Sequence, residues 1–263
     1  PSFIEHHQDR GPDLKYCIYT ASEGYVLNDV LSLDKARQLN PILQFNDPPR
    51  LMEELAIELG RVGLSVTRAE LEQALAYADR AEEAFRQDLG LVGEAFLTRI
   101  ERGNTKAYVG LGRDYVLLDP EASSSSGTLF SQIRGLDYIP QIFLEQRFMG
   151  LSLDGLVTNE FWVESVKILK AHLFVANHPL LFGIRMMNFA CGPDSLKIYQ
   201  ERQIQEAAHK PLLVLVTDGQ TNNAPFVTRT EAHERVVEQT LPCRLDRQAM
   251  NRPRANPKGE RTW

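Results

Sequence analysis

The run from Pro211 to Thr217 (Pro-Leu-Leu-Val-Leu-Val-Thr) most narrows the folds open to this 263-residue chain. A strand with no polar alternation is one expected to be buried on both faces, as happens inside a parallel sheet. Shorter strand signals precede it at Lys106 to Leu111, Asp137 to Leu144 and Leu180 to Asn188. Helical stretches separate them, from about Phe161 to Val175 and from Pro193 to Ala208. Strands alternating with helices predict an α/β fold, a mostly parallel sheet flanked by helices.

The chain upstream reads differently. Residues 1–50 carry turn signals at Arg10-Gly11-Pro12 and Asp47-Pro48-Pro49 and are expected to be irregular. Residues 51–104 read as helical: Leu51, Leu55 and Leu59 line one face, and Gly60 with Gly63 closes that helix. Thr67-Arg68-Ala69-Glu70 is a capping box, predicted to open a long helix. Leu71, Leu75, Ala78, Phe85, Leu89, Val92 and Phe96 form its apolar stripe, a core or interface face. Residues 105–241 form the α/β domain, where Thr228-Arg229-Thr230-Glu231 reads as a second capping box opening a helix to about Gln239. Residues 242–263, rich in Arg, Asn and Pro, are expected to be a flexible tail.

In a parallel α/β sheet, ligands bind outside the carboxyl ends of the strands. Three polar loops fall there: Gly112-Arg113-Asp114-Tyr115, Asn188 to Ser195, and Asp218 to Asn223. The topology would bring Cys191 together with Arg113, Asn188 and Asp218 at one edge. Cys191 lies just before the helix that opens at Pro193, where backbone N–H groups and the helix dipole favour an anion. A thiolate so placed suits a soft metal or an iron–sulfur cluster. A buried structural cysteine beside a Gly-Pro turn fits the octet equally well. Taken singly, Arg113 is as well explained by a surface ion pair, and Asp218 by a turn or helix cap.

Other chemistries find little footing. Neither a Walker A loop nor Gly-x-Gly-x-x-Gly follows a predicted strand, and Gly110-Leu111-Gly112 is only a fragment of such a cradle. No Gly-x-Ser-x-Gly elbow and no Cys-x-x-Cys pair occurs. His172 and His178 straddle a helix end and read as structural or exposed rather than as ligands. The net charge of -6 gives no reason to expect nucleic acid as a partner. No apolar run approaches membrane-spanning length, and no signal peptide is visible. Three widely spaced cysteines, Cys17, Cys191 and Cys243, argue against a disulfide framework and for a reducing, cytoplasmic setting.

Three segments, in order and spacing, resemble the 2-hydroxyacyl-CoA dehydratase family, above all the C-terminal dehydratase-like region of acyl-CoA dehydratase activase-related proteins. They are Val109 to Tyr115 with Asp119, Asn188 to Ser195, and Leu212 to Asp218 followed by Thr228-Arg229-Thr230-Glu231-Ala232. The resemblance spans residues 82–239, and residues 1–80 match only loosely. It implies Rossmann-like lobes and a [4Fe-4S] cluster held by several thiolates. It also implies an ATP-dependent activator module that feeds the cluster electrons, and an acyl-CoA substrate. Cys191 sits where the resemblance would put one cluster ligand.

Two departures accompany the match. Asp114 stands where the family has proline after Gly112-Arg113, and the other cluster cysteines are absent. Besides a cysteine-dependent enzyme unrelated to electron transfer, two readings follow. In one, the chain is a fragment or subunit whose missing ligands come from an upstream segment or another subunit, so it is not expected to be an active lyase alone. In the other, it is a cluster-free α/β binding or interaction module that keeps the family fold.

Overall fold

The computed structural model describes residues 2–5, 17–32, 38–45, 47–123, 126–156, 162–188, 191–217 and 224–251, with the backbone alone described for 241–251. Its centre is a four-stranded, all-parallel sheet in the order β4-β3-β5-β6. The strands are β3 (Ala107–Leu111), β4 (Tyr138–Pro140), β5 (Leu181–Asn188) and β6 (Leu212–Thr217). Helices α4 (Asp114–Leu118), α7 (Val163–Asn177), α8 (Gly192–Ala207) and α9 (Ala224–Asn251) flank it, and the short turns α5 (Ser126–Thr128) and α6 (Glu145–Phe148) lie between α4 and α7 in the chain. This is the expected α/β, Rossmann-like arrangement.

Side-chain alternation sorts the core into two layers. Ala107, Val109 and Leu111 of β3 pack with Ala171 and Val175 of α7. Tyr108, Phe182, Ile184 and Met186 face the other way, onto Val116 and Leu117 of α4 and Phe226 and Val237 of α9. The central strands β3 and β5 are buried on both faces. β6, in contrast, alternates between buried and half-buried positions. It is an edge strand, as is the three-residue β4, so the apolar run that announced the sheet is its least enclosed long strand.

Before the sheet comes β1 (Ser2–Glu5), α1 (Ile18–Leu31), β2 (Ile42–Gln44) and α2 (Pro48–Arg61), with β1 and β2 paired in parallel. Residues 1–50 are thus not irregular throughout. Apolar residues surround α1 on most sides, with Tyr19, Val26 and Val30 exposed, so no amphipathic periodicity announces it. The Asp47-Pro48-Pro49 turn signal is a helix start: Asp47 accepts from the Arg50 N–H at 3.2 Å, with prolines in the first turn, where no donor is lost.

The 36-residue helix α3 (Arg68–Gly103) follows. Its capping box forms as expected, with Thr67 and Glu70 bonded reciprocally, and Asn104 ends it at φ 48°. Gly93 lets α3 touch the 3-10 turn Gln141–Leu144, because a Cβ there would stand 1.9 Å from the Phe143 carbonyl oxygen. That turn replaces the second half of the strand expected over 137–144.

Two further expectations are corrected. Thr228-Arg229-Thr230-Glu231 lies inside α9 rather than opening it. Thr228 and Thr230 turn their hydroxyls back onto the carbonyls of Ala224 and Phe226. The segment expected to be a flexible tail continues α9 to Asn251, across Pro242, on the good helix formers Arg244, Leu245, Arg247, Gln248 and Ala249. Residues 252–263 lie outside the described residues.

Lys210 closes the sheet's opposite edge. Its buried ammonium donates to the carbonyls of Val175, His178 and Leu181, satisfying the end of α7 and the start of β5 together.

Candidate functional site

The strand order places a topological switch point between β3 and β5. From β3 the chain crosses to β4 on one side, then returns past β3 to β5 on the other. A crevice at the carboxyl ends of two such strands is where α/β proteins bind ligands. Leu111 pairs with Arg185, so β5 runs on to Asn188 after β3 has ended. Gly112 then passes close beneath β5, where a Cβ would come within 2.5 Å of the Met186 carbonyl oxygen. Its N–H donates to Gln141 Oε1 at 3.2 Å, which ties in the end of β4.

Arg113, Asn188 and Cys191 come together at this edge. Asn188 closes β5, donates to the Tyr115 hydroxyl at 2.9 Å and accepts from Thr217 Oγ1 at 2.8 Å. One side chain thereby joins the ends of β5 and β6 to α4. Cys191 is a half-buried free thiol at the N-cap of α8, with no side-chain capping bond; its carbonyl accepts from the Ser195 N–H at 2.9 Å. Arg113 lies within electrostatic range of Cys191. Asp218 follows Thr217 directly but lies outside the described residues, as do Phe189 and Ala190.

Beneath the edge runs a buried polar network whose extent the sequence reading missed. Arg113 Nε donates to Asp194 Oδ1 at 3.1 Å. The same oxygen is 3.4 Å from Arg185, which also bonds Glu201 Oε2 at 2.8 Å through its Nε. Glu201 lies 3.6 Å from His172 Nε2, and Gln205 Nε2 holds the ring's other nitrogen at 3.2 Å. Arg185, Glu201 and His172 are wholly enclosed.

Two guanidinium groups and two carboxylates balance one another, which is what allows four charges to be buried. Burial opposes the charge on Arg113 and Arg185, but Asp194 and Glu201 outweigh it and both guanidinium pKa values move up. Burial drives the Glu201 carboxyl up against the pull of Arg185. Burial also drives His172 well below the usual histidine range, reinforced by Arg185, so the imidazole is neutral. One signal in the sequence marks the network. A lone arginine interrupts the apolar run Leu181 to Met187, and such a residue needs buried carboxylates opposite it. Asp194 and Glu201, seven positions apart on α8, present them on one helix face.

Asp114, beside Arg113, has its own partner. Its carboxylate meets Lys167 of α7 at 2.7 Å, and Lys167 also pairs with Glu145. The ion pair pins α4 to α7.

The donor set at the edge can be compared with what a cluster needs. A cubane takes about four thiolates. Cys191 is the thiol at the crevice, Cys17 stands at the N-cap of α1, and the Cys243 side chain lies outside the described residues. Among the described residues, no group of three or more His, Cys, Asp or Glu side chains is arranged to hold a metal ion. The described residues alone therefore do not fit a [4Fe-4S] cluster.

No helix among the described residues is long and apolar enough to cross a membrane. Comparison with known proteins finds no match among curated proteins and none among solved structures. One family model matches, that of the CoA enzyme activase uncharacterised domain (DUF2229), over residues 1–141. The match takes in the N-terminal elements, α3, β3 and the Gly112-Arg113 loop, and ends before the Cys191 octet. Covering more than half of the sequence, it shows that this chain belongs to the CoA enzyme activase uncharacterised domain family.

Proposed function

We propose that this chain is one component of an activase-related iron–sulfur protein, and that its switch-point crevice offers Cys191 as one ligand to a [4Fe-4S] cluster. The remaining thiolates come from an upstream segment of the same polypeptide or from another subunit. The observation that carries this reading is the position of Cys191. It is a free thiol at the N-cap of an α-helix, at the switch point, beside a guanidinium that is already held by a buried carboxylate. Arg113 stays charged and in place whether or not a ligand is present, and so offers an anionic cluster or acyl-CoA a fixed positive neighbour. The activase family supports an ATP-dependent activator as partner. In this reading the chain contributes to a 2-hydroxyacyl-CoA dehydratase-like lyase and is not active by itself.

A second reading, a cluster-free binding or interaction module, draws on a different observation. Asn188, Tyr115, Thr217 and Arg113 are all bonded to one another or to Asp194, so the edge is organised without any ligand.

Anaerobic purification together with the cysteine-bearing upstream segment or subunit separates the two. Iron and sulfide in stoichiometric amounts, with visible absorption lost in Cys191→Ser, are expected of the shared cluster. An iron-free, folded complex, or a cluster untouched by Cys191→Ser, removes the cluster from this crevice and leaves the second reading.

A further inference from the structure

The apolar stripe of α3 has two ends that are covered and a middle that is not. Leu71 packs beneath α2, while Gly90, Gly93, Leu97 and Ile100 pack against the domain. From Glu72 to Asp88 the helix is exposed around its circumference, with only Leu75 and Arg86 partly covered. That is about 25 Å of helix at 1.5 Å per residue. Phe85 and Val92 are more than half exposed. Leu71, Leu75, Ala78, Glu82, Phe85, Leu89, Val92 and Phe96 recur at alternating steps of four and three, the seam of a two-stranded coiled coil.

We propose that this seam is a homodimer interface, formed by α3 pairing antiparallel with α3 of a second copy. The seam's own pattern selects that occupant. A two-fold axis between Glu83 and Ala84 sets Leu75 against the second copy's Val92, Ala78 against its Leu89, and Glu82 against its Phe85. The seam positions left exposed or half-exposed, Leu75, Ala78, Glu82, Phe85, Leu89 and Val92, map onto one another under this operation, as an isologous contact requires. The charges agree. Asp79 and Arg86 lie on the same flank of the seam, one heptad apart, so each meets its opposite on the second copy and two equivalent ion pairs form. An in-register parallel pairing would instead set Asp79 against Ala74 and Arg86 against Ala81 of the second copy, and neither ion pair would form. Glu82, the polar member of the seam, bonds Arg86 of its own helix at 2.8 Å, which lowers the cost of placing it there and pins the register.

Sedimentation equilibrium of the 263-residue chain over a range of concentrations tests this. The expected species is a dimer, and Phe85→Glu is expected to make it a monomer with unchanged helical circular dichroism, since Phe85 is more than half exposed in the single copy. Asp79→Arg and Arg86→Asp should each weaken dimerisation about tenfold. The double variant Asp79→Arg/Arg86→Asp should recover most of that loss, because it rebuilds both ion pairs only in the antiparallel register. A chain that stays monomeric at every concentration overturns the proposal. So does a dimer indifferent to Phe85→Glu, or one that the double variant fails to restore.

Discussion

Arg113 Nε meets Asp194 Oδ1 at 3.1 Å across 81 residues of sequence, and the contact locks the loop after β3 to the first turn of α8. Both side chains are buried, so neither can exchange its partner for water. Removing the cation leaves an uncompensated carboxylate. Arg113→Ala is expected to lower stability by about 3 kcal/mol in urea unfolding. Arg113→Lys keeps the charge but loses the guanidinium's directed N–H, and should fall between the variant and the parent.

Arg185 holds two carboxylates from inside β5, so its loss should cost more. Arg185→Met is expected to destabilise by about 3–5 kcal/mol, enough to leave a marginal domain unfolded. Adding Glu201→Leu removes one of the stranded charges, and the pair should be less damaging than the sum of the single changes. A double-mutant cycle measured by denaturant unfolding checks the coupling. Strict additivity would mean that the two side chains do not share an ion pair in solution.

His233 of α9, buried against the Tyr108 ring at 6.0 Å, gives a pH signature. Burial pulls its pKa down from 6.5 to about 4, so the native imidazole is neutral where the unfolded chain takes up a proton. The stabilisation from this group is complete above about pH 6.5 and is lost as the pH falls from there towards 4. The full loss amounts to about 3 kcal/mol, of which about 2 kcal/mol falls between pH 7 and 5. His233→Leu should flatten the pH dependence of unfolding free energy between pH 7 and 5 by about 2 kcal/mol. An unchanged slope would assign the dependence to other groups.

Gly112 needs its missing side chain because of the close pass beneath Met186. Gly112→Ala puts a methyl group 2.5 Å from a backbone oxygen, and the strand end must shift to admit it. A cost of about 1–3 kcal/mol is expected, with a change in Tyr115 fluorescence as its bond to Asn188 is disturbed. Gly127→Ala, which meets nothing within 4 Å, is the control and should be close to neutral.

Much of this architecture was legible because it rests on local signals. Thr67 and Glu70 announce α3 through a bond that forms within one turn, and Asn188 to Ser195 announces a strand end followed by a helix start. The loops after β3 and β5 could be assigned to one edge because parallel connectivity leaves no other choice. What escaped the sequence depends on partners far along the chain. Nothing near Arg185 shows that Asp194 and Glu201 stand opposite it, and nothing near Asp114 points to Lys167, 53 residues on. The Thr228 box failed for a related reason. Hydroxyls that could cap a helix are as well satisfied by the carbonyl four residues back, and packing of Phe226 and Val237 on the sheet decided between them.

The three carbonyls gathered by Lys210 have a consequence for how the domain opens. One ammonium ties together the last turn of α7, the first residue of β5 and the segment that leads into β6. These pieces cannot separate one at a time without stranding a buried charge or several acceptors. Their amides should therefore exchange with solvent as one cooperative unit, at a common free energy near that of global unfolding. The crevice at the other end of the same strands is then free to adjust to a ligand while its far end stays shut.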